Sequence, residues 1–217
     1  MAVSERRAAR SREIVAATRT LFDERGVRDA QIEDIARAVG INRAIIYRHF
    51  SGKEELFAVT LLGYLRELDE ALTAADDASL TPERRLEEIT RAFFLYGIEH
   101  PAFVDCAQTL LRRRGSELFE EVSETVMVQL GAGMSACLTH VVSTLDAGID
   151  AGHFEKNDSH LMANLLYASA LGVLNLAHLQ LSVRELDPGR PAADQISNDD
   201  LLGPLVRSAV SIARGNP

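Results

Sequence analysis

Arg43 opens a short segment, Arg43 to His49, with apolar residues at helical spacing and Asn42 placed as its N-cap. At a helix start a guanidinium can donate two hydrogen bonds to a guanine edge, the commonest specific contact between a side chain and a base. Ala44 and Ile45 beside it offer only apolar surface, suited to a thymine methyl. Ile45 equally suits packing against the preceding helices. Ile46 falls on the inner face, which leaves Arg43, Ala44, Ile45, Tyr47 and Arg48 pointing outwards. This is chemistry for reading a double helix. Bond-making chemistry has no comparable constellation. The 217 residues hold no Gly-rich phosphate loop, nucleophile elbow or metal-spaced set of His, Cys, Asp and Glu, and the six histidines form no i,i+4 pair. No enzyme, metal or cofactor is expected.

The elements that must position these residues are helical throughout. Apolar residues recur at three- and four-residue spacings and no stretch alternates as a strand, so the expected fold is all-α with about nine helices. The first is predicted from Ser11 to Arg25, burying Ile14, Leu21 and Phe22 and stopping at Gly26. A second, Gln31 to Val39, buries Ile32, Ile35 and Ala36. Gly40 then supplies a positive φ for a sharp turn into the third, Arg43 to His49. Two short helices about such a turn form a helix-turn-helix, and Ala36 must be small where they cross. After Ser51-Gly52 a fourth helix runs from Lys53 to about Ala75. Thr81-Pro82 opens the fifth and Pro101 the sixth, which closes in Arg112-Arg113-Arg114-Gly115. The spacing predicts one long helix from Ser116 to about Ala151, loosened at Gly131 and Gly133. Another spans Ser159 to Leu181, an exposed loop follows from Leu186 to Asn198, and a last helix covers Asp199 to Arg214.

Gly26, Ile32-Glu-Asp-Ile-Ala36, Gly40-Ile41, Tyr47-Arg-His-Phe50 and Lys53-Glu-Glu-Leu56 together resemble the TetR family of bacterial transcriptional regulators. The resemblance is close over about 45 residues. It implies that Tyr47, His49 and Lys53 grip DNA phosphates, contacts that position a protein without specifying sequence. Arg48 either joins them or is a solvated surface arginine. Ala30-Gln31 departs from the family's usual Thr/Ser pair, so that Gln31 replaces the hydroxyl contact or Asp29 merely caps the helix. Arg28 and the N-terminal Arg6, Arg7, Arg10 and Arg12 form either a flexible basic arm that adds electrostatics or a solvated tail. Ile45 stands where the family usually has a small polar residue, which suggests its own operator preference. The resemblance further implies a DNA-binding domain over residues 1–53 and an effector-binding and dimerisation domain over 54–217. The expected function is that of a ligand-responsive regulator, a repressor that binds a palindromic operator as a dimer and is released by a small-molecule effector.

Charge is divided in the same way. Residues 1–53 hold eleven Lys and Arg against seven Asp and Glu, a net +4, whereas the remainder holds twelve against 25, a net −13. A small nucleic-acid module on an acidic body would show this split. Met1 to Arg12 is polar, unlike a secretory signal, and Cys106 and Cys137 sit in apolar helical patterns. Buried, reduced thiols in a cytoplasmic protein are expected, with a redox pair as the alternative. Leu161 to Leu181 has no formal charge over a membrane-spanning length, but Asn164, Asn175 and His178 interrupt it and a buried helix is expected instead of a span.

A helix apolar around its circumference needs partners on several sides. The homodimer surface is therefore expected from the last two helices, with Ala168, Gly172 and Leu176 on one and Leu202, Leu205, Val206 and Ala209 on the other. Asn164, Tyr167 and Asn175 form a polar stripe whose hydrogen bonds go across the dimer, to neighbouring helices or to a ligand. The resemblance implies an effector pocket among the fourth to eighth helices. Phe93, Tyr96 and Phe103 are available to line it, as are Leu110, Met127, Leu130 and Met134, so the effector would be largely apolar. Ordinary core packing is the alternative for each.

Overall fold

Helix ends in the computed structural model follow the punctuation of the sequence. The structure describes residues 2–27, 29–112, 115–187 and 189–215. Among them lie α1 (Ala2–Arg25), α2 (Ile32–Val39), α3 (Arg43–His49), α4 (Lys53–Ala75), α5 (Pro82–Glu99), α6 (Pro101–Leu111), α7 (Gly115–Glu121), α8 (Glu124–Asp150), α9 (Ser159–Leu179) and α10 (Asn198–Ala213), with a hairpin of β1 (Leu181–Asp187) and β2 (Arg190–Gln195) before α10. The all-α expectation holds. Gly26 and Gly40 take φ of 77° and 70° and end α1 and α2 as left-handed caps.

Three boundaries differ from expectation, each for a physical reason. Helix α1 begins at Ala2 rather than Ser11, because Ala8, Ala9 and the arginines favour helix without supplying an apolar stripe. The long helix from Ser116 is two, broken at Val122-Ser123. There the Ser123 hydroxyl donates to the Glu55 carboxylate, which also accepts from the Ser51 amide, while the Ser51 hydroxyl donates to the Glu121 carbonyl at 3.0 Å. Side chain–backbone bonds of this kind compete with helix continuation. Helix α8 then runs straight through Gly131 and Gly133. Finally, much of the expected loop at 186–198 is an antiparallel hairpin, pairing Ser182 with Asp194 and Val183 with Ala193, with a register shift between Glu185 and Asp187. Alternation is missing from its sequence because β2 buries neither face.

The chain divides into two compact units, residues 1–67 with 100–134, and residues 68–99 with 135–217. In the first, α1, α2, α3 and the start of α4 close over Ile14, Phe22, Ile35, Ile46, Leu56 and Phe57. The Phe22 and Phe57 rings meet edge to face at 4.8 Å. Arg19 lies 4.3 Å over the Tyr64 ring and holds Glu67 with both nitrogens, at 2.5 and 2.6 Å, while the Tyr64 hydroxyl donates to Asp23 at 2.6 Å. These contacts fix α1 along α4.

In the second unit α5, α9 and α10 pack on one another around Leu86, Leu145, Phe154, Leu166, Ala209 and Val210. Two glycines permit close approach. A Cβ on Gly97 would lie 2.4 Å from Leu174 and one on Gly148 would lie 2.1 Å from the Phe154 ring. His140 is held between the Asp76 and Asp69 carboxylates, at 2.7 and 3.2 Å. Helices α8 and α9 are each long and apolar enough to cross a membrane by length and composition. Yet α9 is not enclosed by its own chain. Its Leu161, Leu165 and Leu179 are 59%, 52% and 61% exposed in the single chain.

Candidate nucleic-acid interface

The readable surface of α3 is built from its core outwards. Ile46, 1% exposed, anchors α3 on α2, where Ile32, Ile35 and Ala36 are buried. The turn between them is closed by the Ile41 amide donating to the Ala36 carbonyl at 2.9 Å. Asn42, also expected at the DNA surface, caps α3, its Oδ1 accepting from the Ala44 amide at 2.9 Å, and it is exposed, with its Nδ2 donors not used by the cap. At about 100° per residue the exposed side of α3 runs Arg43, Tyr47, Ala44, Arg48, and then Ile45 and His49 at its far edge. Arg43, Ala44, Tyr47 and Arg48 are all exposed, whereas Ile45 and His49 are half-buried. Lys53, at the start of α4, places its ammonium 5.0 Å over the Phe57 ring.

Two partners of this surface carry no apolar signal in the sequence. Glu33 on α2 accepts a hydrogen bond from Arg43 at 2.9 Å, and this contact holds the Glu33 carboxyl below its usual range. Ser11 on α1 shares a 2.8 Å hydrogen bond with His49 Nδ1. Burial, with the charges of Arg7 and Arg10, keeps the His49 pKa below its ordinary value, so the free ring is neutral at neutral pH. Arg7 also donates to the Arg48 carbonyl at 3.1 Å. The N-terminal arginines thus stand on an ordered helix beside α3, not on a flexible arm. Helix propensity over 2–10 was the signal available for them.

Gln31 is exposed at the N-cap position of α2, but its side chain makes no capping bond there. Arg28 lies outside the described residues, as do Arg113 and Arg114 of the basic run that closes α6. The other expected sites divide between the units. Phe103 and Leu110 are buried in the first, where Met127, Leu130 and Met134 are half-buried. In the second, the Phe93 and Tyr167 rings meet edge to face at 5.8 Å and Tyr96 is buried. Asn164 and Asn175 face outwards, with the Asn164 amide donating to the His160 carbonyl, so the polar stripe does not line an interior as one surface. Ala168 and Gly172 are exposed, with Leu176 and Leu202 half-buried. Leu205, Val206 and Ala209, by contrast, are buried in the chain's own core, because α10 turns this face onto α5 and α9. Both cysteines are buried, and burial raises the Cys137 thiol to about 12 and the Cys106 thiol well above its usual value, which makes them poor thiolates. Among the described residues no three His, Cys, Asp or Glu are grouped to hold a metal ion.

A capped helix with an exposed arginine at its first turn, held on a small-residue crossing, is the arrangement of a helix-turn-helix. Comparison with known proteins gives the same answer. Residues 14–60 match the family model of bacterial regulatory proteins, tetR family. The chain is 28% identical over 207 residues to the HTH-type transcriptional repressor KstR2 of Mycobacterium tuberculosis, covering 93% of this chain and 96% of that one. It is 33% identical over 85 residues to the HTH-type transcriptional regulator BetI of Brucella anthropi, a match spanning 39% of this chain and 44% of that protein's length. The crystal structure of RolR in complex with resorcinol shares the fold, with a TM-score of 0.68 at 15% identity, over 97% of this chain and 90% of that one. Residues 14–60 are thus the DNA-binding segment of the tetR family of bacterial regulatory proteins. The chain is a DNA-binding transcriptional regulator.

Proposed function

We propose that the chain is a repressor that binds a palindromic operator as a homodimer and leaves it when a small, largely apolar effector binds. Residues 1–53 act as the reading head and 54–217 as the body that pairs and controls two heads. The observation that carries this reading is the exposed Arg43, Ala44 and Tyr47 on a helix fixed from below by Ile46. Arg43 contacts a guanine, and Tyr47, Arg48, His49 and Lys53 hold phosphates around it.

The dimer reading rests on α9. Leu161, Ala168, Gly172, Asn175 and Leu179 share one exposed face, and a second copy of the same face would cover it. Asn164 and Asn175 then hydrogen-bond across the pair rather than to an effector. Leu176 and Leu202 border this surface, and the repressor KstR2 and the ligand-bound RolR support the regulatory mode by likeness. For the effector, the Phe93–Tyr167 pair with Tyr96 in the second unit offers aromatic contact; Met127, Leu130 and Met134, in the first unit, are a separate apolar candidate. An effector acts only through different affinity for the DNA-binding and released states. The site of action is the cytoplasm, where the operator is.

Binding to a duplex carrying the sequence upstream of the protein's own gene tests the reading. Tight, steeply salt-dependent binding that exceeds binding to mixed-sequence DNA is expected. Equal binding to both, or none, would make the helix-turn-helix a structural remnant.

A further inference from the structure

A concavity of about 500 Å³ lies between the N-terminal turns of α1 and the far edge of α3. Arg6, Arg7 and Arg10 line one wall beside a single carboxylate, Glu13, and Ile45 and His49 form the other. Three guanidiniums against one carboxylate make a cationic pocket in a chain whose net charge is −9. We propose that this cleft seats a backbone phosphate of duplex DNA, held by Arg7 and Arg10, so that α1 is a second DNA-contacting element. The proposal rests on the DNA-reading role of α3 given above.

Placement supports a DNA phosphate as the occupant. Ile45 and His49 stand at one edge of the exposed strip that runs from Arg43 through Tyr47, Ala44 and Arg48. A duplex laid along that strip brings the backbone bordering its groove to the cleft at the strip's edge. The wall is preformed, because Arg7 donates to the Arg48 carbonyl at 3.1 Å and Ser11 bonds His49 at 2.8 Å. A guanidinium has five N–H donors, so the Arg7 bond leaves capacity for an anion. Arg10 is paired with Glu13 at 2.6 Å on an exposed helix face, an interaction that a phosphate can displace at little cost.

The test uses the full-length protein and a mixed-sequence duplex several helical turns long. Binding is measured against salt for the wild type, for Arg7→Ala/Arg10→Ala and for Arg7→Lys/Arg10→Lys, with thermal melts to show that all three fold. Each neutralised phosphate contributes about 0.9 to the slope of log K against log salt, so losing the one seated in the cleft should lower it by about 0.9 per DNA-bound head in the alanine pair, and the lysine pair should regain most of it. The ratio of preferred-site to mixed-sequence affinity should stay unchanged. An unaltered slope in a folded alanine variant overturns the proposal while leaving the repressor reading intact. Binding of inorganic phosphate at the arginines without a change in the DNA slope also overturns it, in favour of a free-anion site. A wild type that binds no duplex defeats the repressor reading, and this proposal with it.

Discussion

Arg43 and His49 each enter DNA binding from a partnered state. The Arg43–Glu33 pair is more than half exposed on both sides, so solvent and salt screen it and a guanine edge can outcompete it. Glu33→Gln removes the competing carboxylate, and titration should show tighter binding to all duplexes by about twofold to fivefold. Unchanged or weaker binding would mean that Glu33 orients Arg43 on the base. For His49 the sign follows from its depressed pKa. The free ring is neutral at neutral pH, a nearby phosphate favours the charged ring, and binding therefore takes up a proton. Affinity should rise as pH falls from about 7 through the ordinary histidine value of about 6.5, and His49→Gln should flatten that rise. The same depression means that the fold loses stability as pH falls through the folded value, so the titration must stay above the onset of unfolding. Arg43, Ala44 and Tyr47 were legible in the sequence because a buried Ile46 fixes the phase of α3. Glu33 and Ser11 were not, since their partners lie 10 and 38 residues away and leave no periodic trace.

Glycines separate the helices that cross closely from those that do not. A methyl at Gly148 meets the Phe154 ring, which is itself buried, whereas one at Gly131 meets nothing within 4 Å. Gly148→Ala should therefore cost about 1–3 kcal/mol through overpacking. Gly131→Ala, inside the same α8, should instead stabilise by about 0.5–1 kcal/mol. Thermal melts of the two variants should move in opposite directions, and a common direction would remove the crowding argument. Most helix ends were legible, since Gly26, Gly40, Pro82 and Pro101 punctuate the chain. The α7–α8 break depends instead on Ser51, Glu55 and Ser123, residues brought together only by folding. The hairpin escaped for a different reason, because β2 is solvated on both faces and carries no alternation.

At the scale of the whole molecule, one head covers only a half-site, so pairing decides whether a palindrome can be read. The exposed α9 face has Gly172 with open space around it. Gly172→Arg should leave the single chain folded but place a long charged side chain where two copies meet. Light scattering should then give a monomer where the wild type gives a dimer, with operator affinity reduced by more than tenfold. A dimeric Gly172→Arg would move the interface elsewhere. The split between a +4 head and a −13 body fits such an assembly, because only the head carries a charge that duplex DNA attracts.

Selection of preferred duplexes from a random-sequence pool, for the wild type and for Arg43→Ala in parallel, tests most directly whether α3 reads DNA. The wild type should enrich an inverted repeat with a guanine in each half-site, its halves about one helical turn apart. Arg43→Ala should lose the preference at that guanine, with a discrimination cost of about 1–3 kcal/mol, and keep the rest of the motif. No enriched motif for the wild type, or an identical motif for both, would contradict sequence reading by α3.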